Sequence, residues 1–142
     1  MTPLPEILVV DDDRPLRSLL VTILKRQGFN VTAASNGFEA LERLNAHRFD
    51  LMLLDLNMPR MNGYEVLAHL ALVSRDEVPA IVVLSGDVAE DDDGDLVFQR
   101  IRKPFDVDVL IGAVRTSLAK RAAQIAAARF DSLSATSQPT VN

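Results

Sequence analysis

The sequence predicts an α/β domain in which a parallel β-sheet is covered by helices on both faces. Predicted strands alternate with predicted helices at short spacing, the pattern that βαβ units produce. The first, third and fourth predicted strands are continuous apolar runs, as expected of strands buried on both faces. With 142 residues, of which 48% are hydrophobic, the chain is expected to form one domain with a substantial core.

The first strand and helix follow from an apolar run and a helical repeat of apolar residues. Residues 6–10 are predicted to form a buried strand that is followed by three aspartates. Pro15 lies in the first turn of the next helix, behind an aspartate that can cap it, and Gly28 ends the helix. The apolar residues at helical spacing in this segment are Leu16, Leu19, Leu20, Ile23 and Leu24.

The next two helices are predicted from a shared cap pattern. Asn36 and Asn62 each stand three residues before a glutamate, which is typical of a helix start. A strand is predicted before each helix, at residues 30–34 and at residues 50–55, and the second of these ends in Asp55. The apolar residues expected to bury the two helices are Ala40, Leu41, Leu44, Val66, Leu67 and Leu70.

The last part of the domain is predicted to contain two strands and a long helix. Residues 79–84 are apolar and form the fourth strand, and a fifth strand lies near residues 99–102. Asp106 is placed to cap the final helix, and Phe105 and Leu110 are spaced as a hydrophobic staple.

Composition excludes several classes of protein. There is no cysteine, no apolar run of about 18 residues and no signal peptide at the start, so we expect a cytoplasmic protein without disulfides or membrane spans. The net charge of −5 comes from a cluster of acids between residues 85 and 98. No basic stripe is present, so direct binding of nucleic acid is not predicted. The acids of the cluster are Asp87, Glu90, Asp91, Asp92, Asp93 and Asp95.

Polar residues stand at the carboxyl ends of four predicted strands, which should meet at one edge of the sheet. Residues 11–13 are aspartates that follow the first strand, while Asp55, Ser85 and Lys103 follow the third, fourth and fifth. Carboxylates this close require a cation, and an oxygen-only ligand set favours Mg²⁺. A lysine and a hydroxyl beside that ion suit a phosphoryl group, and the remaining carboxylate could be its nucleophile, forming an aspartyl-phosphate.

At this point the chain resembles the receiver domain of bacterial two-component response regulators. The resemblance covers roughly residues 7–118 and rests on four motifs that occur in the family's order. They are V-V-D-D-D, L-L-D-L-N-M-P-R-M-N-G, V-L-S-G and R-K-P-F. The resemblance implies a flavodoxin-like, doubly wound sheet of five parallel strands in the order 2-1-3-4-5, with five helices.

The resemblance also implies roles for single residues. Asp55 corresponds to the phosphoacceptor, and Asp11 and Asp12 correspond to the acidic pair, of which Asp12 is the more direct Mg²⁺ ligand. Asn57 would offer the ion its backbone carbonyl. Asp13 is expected to act as a helix cap rather than as a ligand.

Further positions of the family's site are present as well. Ser85 corresponds to the switch hydroxyl, and Lys103 to the phosphate-binding lysine that precedes a cis Lys–Pro bond. Pro59 and Gly63 would shape the loop after the third strand. Asn57 and Asp87 stand where the family tunes the lifetime of the phosphoryl group, and their polarity predicts a short lifetime.

Two features depart from the family pattern. Arg100 stands where the family usually has an aromatic residue, so the aromatic switch could be missing, and Phe98 could replace it only if the last strand shifts register. The segment between Ser85 and Lys103 is short, Asp-rich and interrupted by Gly94. The fourth helix of the family is therefore predicted to be short, irregular or absent, and phosphorylation could order this acidic loop instead.

The last helix is predicted to be longer than a receiver needs. We expect an N-terminal tail at residues 1–5, the receiver at residues 6–120, a helical extension at residues 121–131 and a disordered tail at residues 132–142. The extension could form a homodimer, dock a partner or lead to a further domain, and a frayed helix in solvent is an equal alternative.

The predicted function is signalling. The phosphoryl donor would be a sensor histidine kinase or a phosphotransfer protein, and output would pass through contacts with a downstream protein. Beyond its own phosphorylation and slow dephosphorylation the domain would not act as an enzyme. A scaffold independent of phosphorylation remains an alternative, whereas a Mg²⁺-dependent phosphohydrolase is disfavoured because Asn57 replaces the general acid such enzymes need. His47 and His69 are expected to be solvated residues.

Overall fold

The computed structural model describes residues 3–86 and 96–136, and within these ranges it contains five parallel strands and four α-helices. The strands are β1 (Glu6–Val10), β2 (Asn30–Ala34), β3 (Leu51–Asp55), β4 (Ala80–Ser85) and β5 (Val97–Arg102). The helices are α1 (Arg14–Arg26), α2 (Gly37–Ala46), α3 (Gly63–Leu70) and α4 (Val107–Thr136), with a short 3₁₀ turn at Arg75–Glu77. The sheet order is β2-β1-β3-β4-β5, which confirms the predicted fold class.

The three central strands are apolar on both faces because each face packs against helices. Every residue of β3 and β4 is buried, and in β1 only Glu6 is partly exposed. On one face, Met52 and Ile81 pack with apolar residues of α2 and α3. On the other face, Leu53 and Val82 pack with residues of α1 and α4. This two-sided burial is the physical reason that these strands lack a polar–apolar alternation.

The predicted caps form at two helices and fail at a third. The side chains of Asn36 and Asn62 accept hydrogen bonds from the N–H groups at the third positions of α2 and α3. Asp13 occupies the N-cap position of α1, but its side chain makes no capping hydrogen bond, so the prediction was wrong in that detail. Pro15, at the second helical position, has no N–H, so the Leu16 N–H is the amide that remains for such a cap, and the Asp13 side chain does not accept from it.

Strand β5 contains a register shift at Phe98. Val97 pairs with Ile81 and Gln99 with Val82, so Phe98 is an extra residue in the ladder. The Phe98 ring lies beside α4, where the Lys120 ammonium is 4.9 Å from its centroid. The register does shift, as a role for Phe98 would require, but Phe98 packs in the cluster beside α4, whereas Arg100 is exposed.

The last helix starts as predicted and is longer than expected. The Leu110 N–H donates to the Asp106 carbonyl at 3.1 Å, and Phe105 packs in the same cluster as Leu110. The helix continues to Thr136, so residues 132–136, which we expected in a disordered tail, are helical. No helix in the described part of the chain is long and apolar enough to span a membrane. The predictions for the acidic segment fall mainly on residues 87–95, which lie outside the described residues.

Candidate functional site

The predicted polar residues lie together at the carboxyl edge of the sheet. Asp11 follows β1, Asp55 and Ser85 end β3 and β4, and Lys103 follows β5. Because the strands are parallel and adjacent, their ends bring into contact residues that are up to 92 positions apart in the sequence.

Three carboxylates form the acidic part of this site. One oxygen from each of Asp11, Asp12 and Asp55 lies within 4.8 Å of the others. Asp11 is 0% and Asp55 3% exposed, whereas Asp12 is exposed to solvent. Buried carboxylates this close repel each other unless a cation lies nearby, so the cluster favours binding of a positive charge.

Each of the two buried carboxylates is held in the same way. The Asp13 N–H donates to Asp11 Oδ1 at 2.9 Å, and the Asn57 N–H donates to Asp55 Oδ1 at 3.0 Å. The second oxygen of each carboxylate faces Lys103, whose Nζ lies 3.3 Å from Asp11 Oδ2 and 3.4 Å from Asp55 Oδ2. The lysine therefore bridges the two carboxylates, and the backbone fixes their orientation.

Burial makes Asp55 the unusual acid of the site. Desolvation, together with repulsion from Asp11, raises the pKa of Asp55 from 3.8 to about 6. The Asn57 N–H and the Lys103 ammonium act in the opposite direction and keep the pKa from rising further. At neutral pH Asp55 is ionised, and its charge is poorly solvated.

The backbone places Lys103 at the site. The Lys103 N–H donates to the Ser85 carbonyl at 2.8 Å, which extends the pairing of β4 and β5 by one residue. The Lys103–Pro104 peptide bond is cis, as the resemblance implied. Ser85, which ends β4 beside this contact, is buried, with 8% of its surface exposed.

The loop after β3 packs closely against the site. Arg60 and Met61 adopt left-handed φ angles of 52° and 43°. A Cβ on Gly63 would lie 2.6 Å from the Asp55 carbonyl oxygen and 2.8 Å from Leu56 Cα, so only glycine fits there. Gly37 is in similarly close contact with the backbone of Met61, an approach that sequence reasoning missed.

Sequence reasoning also missed Arg17. Its NH1 group donates to the Asp11 carbonyl at 2.8 Å, so α1 holds the backbone of the acidic cluster in place. The sequence held one indication of this contact, since Arg17 lies one helical turn after Asp13 and so on the side of α1 next to the aspartates. His47 and His69 do not lie at the site but line a cavity between α2 and α3, and neither is part of the one cluster of potential metal ligands found in the described residues.

Comparison with known proteins gives a consistent result. The model of the response regulator receiver domain matches residues 7–115. The chain is 31% identical to sporulation initiation phosphotransferase F of Bacillus subtilis, over 80% of this chain and 93% of that protein. It is 36% identical to response regulator MprA of Mycobacterium tuberculosis, over 89% of this chain and 58% of that protein. It is 42% identical to the CpxR homologue of Haemophilus influenzae, over 58% of this chain but only 36% of that protein.

Solved structures agree with these sequence relatives. Response regulator protein TrrA of Thermotoga maritima, in complex with Mg²⁺–BeF, matches with a TM-score of 0.73 and 30% identity, over 80% of this chain and 99% of that one. A CheY-like receiver domain from Methanospirillum hungatei matches with a TM-score of 0.78 and covers 86% of this chain and 99% of that one. At 24% identity, the second match shows a shared fold.

Proposed function

The chain belongs to the family of response regulator receiver domains, and from this we propose that it accepts a phosphoryl group on Asp55. The donor is a phosphohistidine on a sensor histidine kinase or on a phosphotransfer protein. An oxygen of Asp55 attacks the phosphorus, a P–O bond forms and the P–N bond breaks, and the imidazole leaves. The family is one of signalling domains rather than enzymes.

The observation that carries this proposal is the contact of Lys103 with two buried carboxylates. Lys103 Nζ lies 3.4 Å from Asp55 Oδ2, so the ammonium stands beside the atom that would carry the phosphoryl group. Its charge can stabilise the oxygens of that group during transfer. Ser85, at the end of the neighbouring strand, is the hydroxyl proposed to contact a phosphoryl oxygen and to report phosphorylation.

The donor set at the site fits Mg²⁺. Carboxylate oxygens of Asp11, Asp12 and Asp55 lie within 4.8 Å of one another, and hard oxygen ligands are those that Mg²⁺ prefers. We propose that these residues hold the ion, together with the backbone carbonyl of Asn57. Bound there, Mg²⁺ supplies positive charge that neutralises the oxygens of the phosphoryl group.

The proposal also covers the domain boundaries, the signalling partner and the lifetime of the phosphoryl group. Residues 6–120 are proposed as the receiver and residues 121–131 as an extension of its last helix. The phosphorylated domain is proposed to signal through contacts with a downstream protein in the cytoplasm. A homodimer formed through α4 is a further proposed contact. Because Asn57 and Asp87 are polar, the phosphoryl group is proposed to be short-lived.

The test is the intact mass of the protein after incubation with Mg²⁺ and a small phosphodonor. We expect one added phosphoryl group in the wild type and none in Asp55→Asn or in the presence of EDTA. Asp13→Asn serves as the matched control, because this neighbouring aspartate is outside the cluster, and it should be phosphorylated normally. Absence of an adduct in the wild type would favour a scaffold that acts without phosphorylation.

A further inference from the structure

A second groove lies at the amino-terminal edge of the sheet, at the end opposite to the aspartates. Phe49 and Asp50, which precede β3, form one wall, and residues of the 3₁₀ turn before β4 form another. The remaining wall is α4, between Arg121 and Ser132. The groove has a volume of about 680 Å³, within the range of about 300–1,000 Å³ that is typical of ligand sites.

The lining of this groove carries an excess of positive charge. The acids among the described lining residues are Asp50 and Asp76. Both oxygens of the Asp50 carboxylate are already engaged, since Oδ2 accepts the Glu6 N–H at 2.8 Å and Oδ1 lies 3.5 Å from Arg121 NH1. The arginines that line the groove are Arg48, Arg75, Arg121 and Arg129.

Two of these arginines are not neutralised within the described part of the chain. Arg48 and Arg129 are exposed, and no carboxylate of residues 3–86 or 96–133 forms an ion pair with either. Burial lowers the pKa of the Arg121 guanidinium; the Asp50 carboxylate opposes this shift, and the nearby charge of Arg48 adds to it. Like charges that face each other across a groove are relieved when an anion binds between them.

The floor of the groove is apolar. Phe49 is 4% exposed and Ile125 is half-buried, and Ala128 completes this surface. A free inorganic anion would use the arginines but gain nothing from the floor. A peptide with carboxylates around an apolar side chain would use both, because guanidinium groups bind carboxylates in pairs of hydrogen bonds.

We propose that this arginine groove, defined by Arg48, Arg121, Arg129, Phe49 and Ile125, binds a short acidic segment of a partner protein. Carboxylates of the segment contact Arg48 and Arg129, and an apolar side chain packs against Ile125. Arg121 holds the wall in place, because its Nε donates to the Val78 carbonyl at 3.2 Å and so ties α4 to the sheet. The role of the extended helix is then to complete a binding surface far from Asp55.

The test is a fluorescence anisotropy titration of the full chain with a labelled synthetic peptide that has glutamates around a central leucine. Saturable binding is expected, and the same peptide with glutamines should not bind. Arg48→Glu and Arg129→Glu should each weaken binding by about tenfold or more, corresponding to about 1.4 kcal/mol. Arg14→Glu, an exposed arginine at the other end of the sheet, is the control and should leave binding unchanged.

Several results would overturn the proposal. Equal weakening by Arg14→Glu would show attraction by overall charge rather than by the groove. Competition by inorganic phosphate as effective as by the peptide would reduce the groove to a simple anion site. Self-association of the wild type that is lost in Arg129→Glu would assign the groove to a second copy of the chain. Thermal unfolding of each variant establishes that loss of binding does not reflect loss of fold.

Discussion

The pKa of Asp55 leads to a prediction about stability in the absence of metal. The perturbation is Asp55→Asn, which removes the charge but keeps the size of the side chain and an oxygen that can accept the Asn57 N–H. Lys103 keeps a partner in this variant, because Asp11 Oδ2 lies 3.3 Å from its Nζ. The substitution therefore removes a poorly solvated charge without leaving a new one unpaired.

The magnitude follows from the shift in pKa. Folding raises the pKa of Asp55 from 3.8 to about 6, so the folded state binds the proton more tightly than the unfolded state does. The stabilisation from protonated Asp55 is complete below the unfolded pKa and is lost as the pH rises through the folded value. Ionised Asp55 then costs up to about 3 kcal/mol at pH 7.5, at about 1.4 kcal/mol per pKa unit.

The assay is thermal and urea unfolding of wild type and Asp55→Asn in EDTA, from pH 4 to pH 8. Asp55→Asn should be more stable than the wild type by about 1–3 kcal/mol at pH 7.5, or roughly 3–9 °C in Tm. The difference should shrink to near zero at pH 4. Added Mg²⁺ should stabilise the wild type more than the variant, because the variant lacks one of the three carboxylates.

Asp13→Asn is the matched control, since its side chain makes no capping hydrogen bond and should change stability by less than about 0.5 kcal/mol. A lower stability of Asp55→Asn than of the wild type in EDTA at pH 7.5 would contradict this prediction. A stability difference that did not change between pH 4 and pH 8 would refute it equally.

Three further substitutions test other contacts. Arg121→Ala should lower the free energy of unfolding by about 1–3 kcal/mol, because it removes the donor to the buried Val78 carbonyl and the cation beside Asp50 Oδ1. The exposed Gln124→Ala should have no such effect, and equal urea midpoints for the two variants would contradict this prediction. Gly63→Ala should destabilise the protein by about 1–3 kcal/mol, because the added Cβ would overlap the Asp55 carbonyl. Gly112→Ala has open space around it and should stabilise the helix by about 0.5–1 kcal/mol. Calorimetry that ranked the two variants in the reverse order would contradict this packing. Lys103→Met should destabilise the protein by about 2 kcal/mol at pH 7.5, because it leaves two buried carboxylates without their cation. The loss of stability should be smaller at pH 4.5, where Asp55 is protonated. If urea titrations showed the same loss of stability at both pH values, the ion pairs would not explain it.

Local features of the fold were predictable because their causes lie within a few residues of each other. The apolar runs of β1, β3 and β4 and the asparagine caps at Asn36 and Asn62 all appear in the structure as predicted. The family motifs placed Asp11, Asp55 and Lys103 at strand ends, and a parallel sheet then brings those ends together. Sequence alone therefore determined the fold class and the position of these three residues at one edge of the sheet.

Features that depend on contacts through space were decided only by the tertiary structure. The side chain of Asp13 stands at the start of α1 without forming the expected capping hydrogen bond, and the bulge places Phe98 beside α4. Arg121 interrupts the apolar repeat of α4, yet in the folded chain it reaches Asp50 and Val78, which are more than 40 positions away. A periodic pattern of apolar residues predicts which face of a helix is buried. It does not predict which residues of another helix or strand contact that face. The contacts at the arginine groove therefore exist only once α4 packs beside the beginnings of β3 and β4.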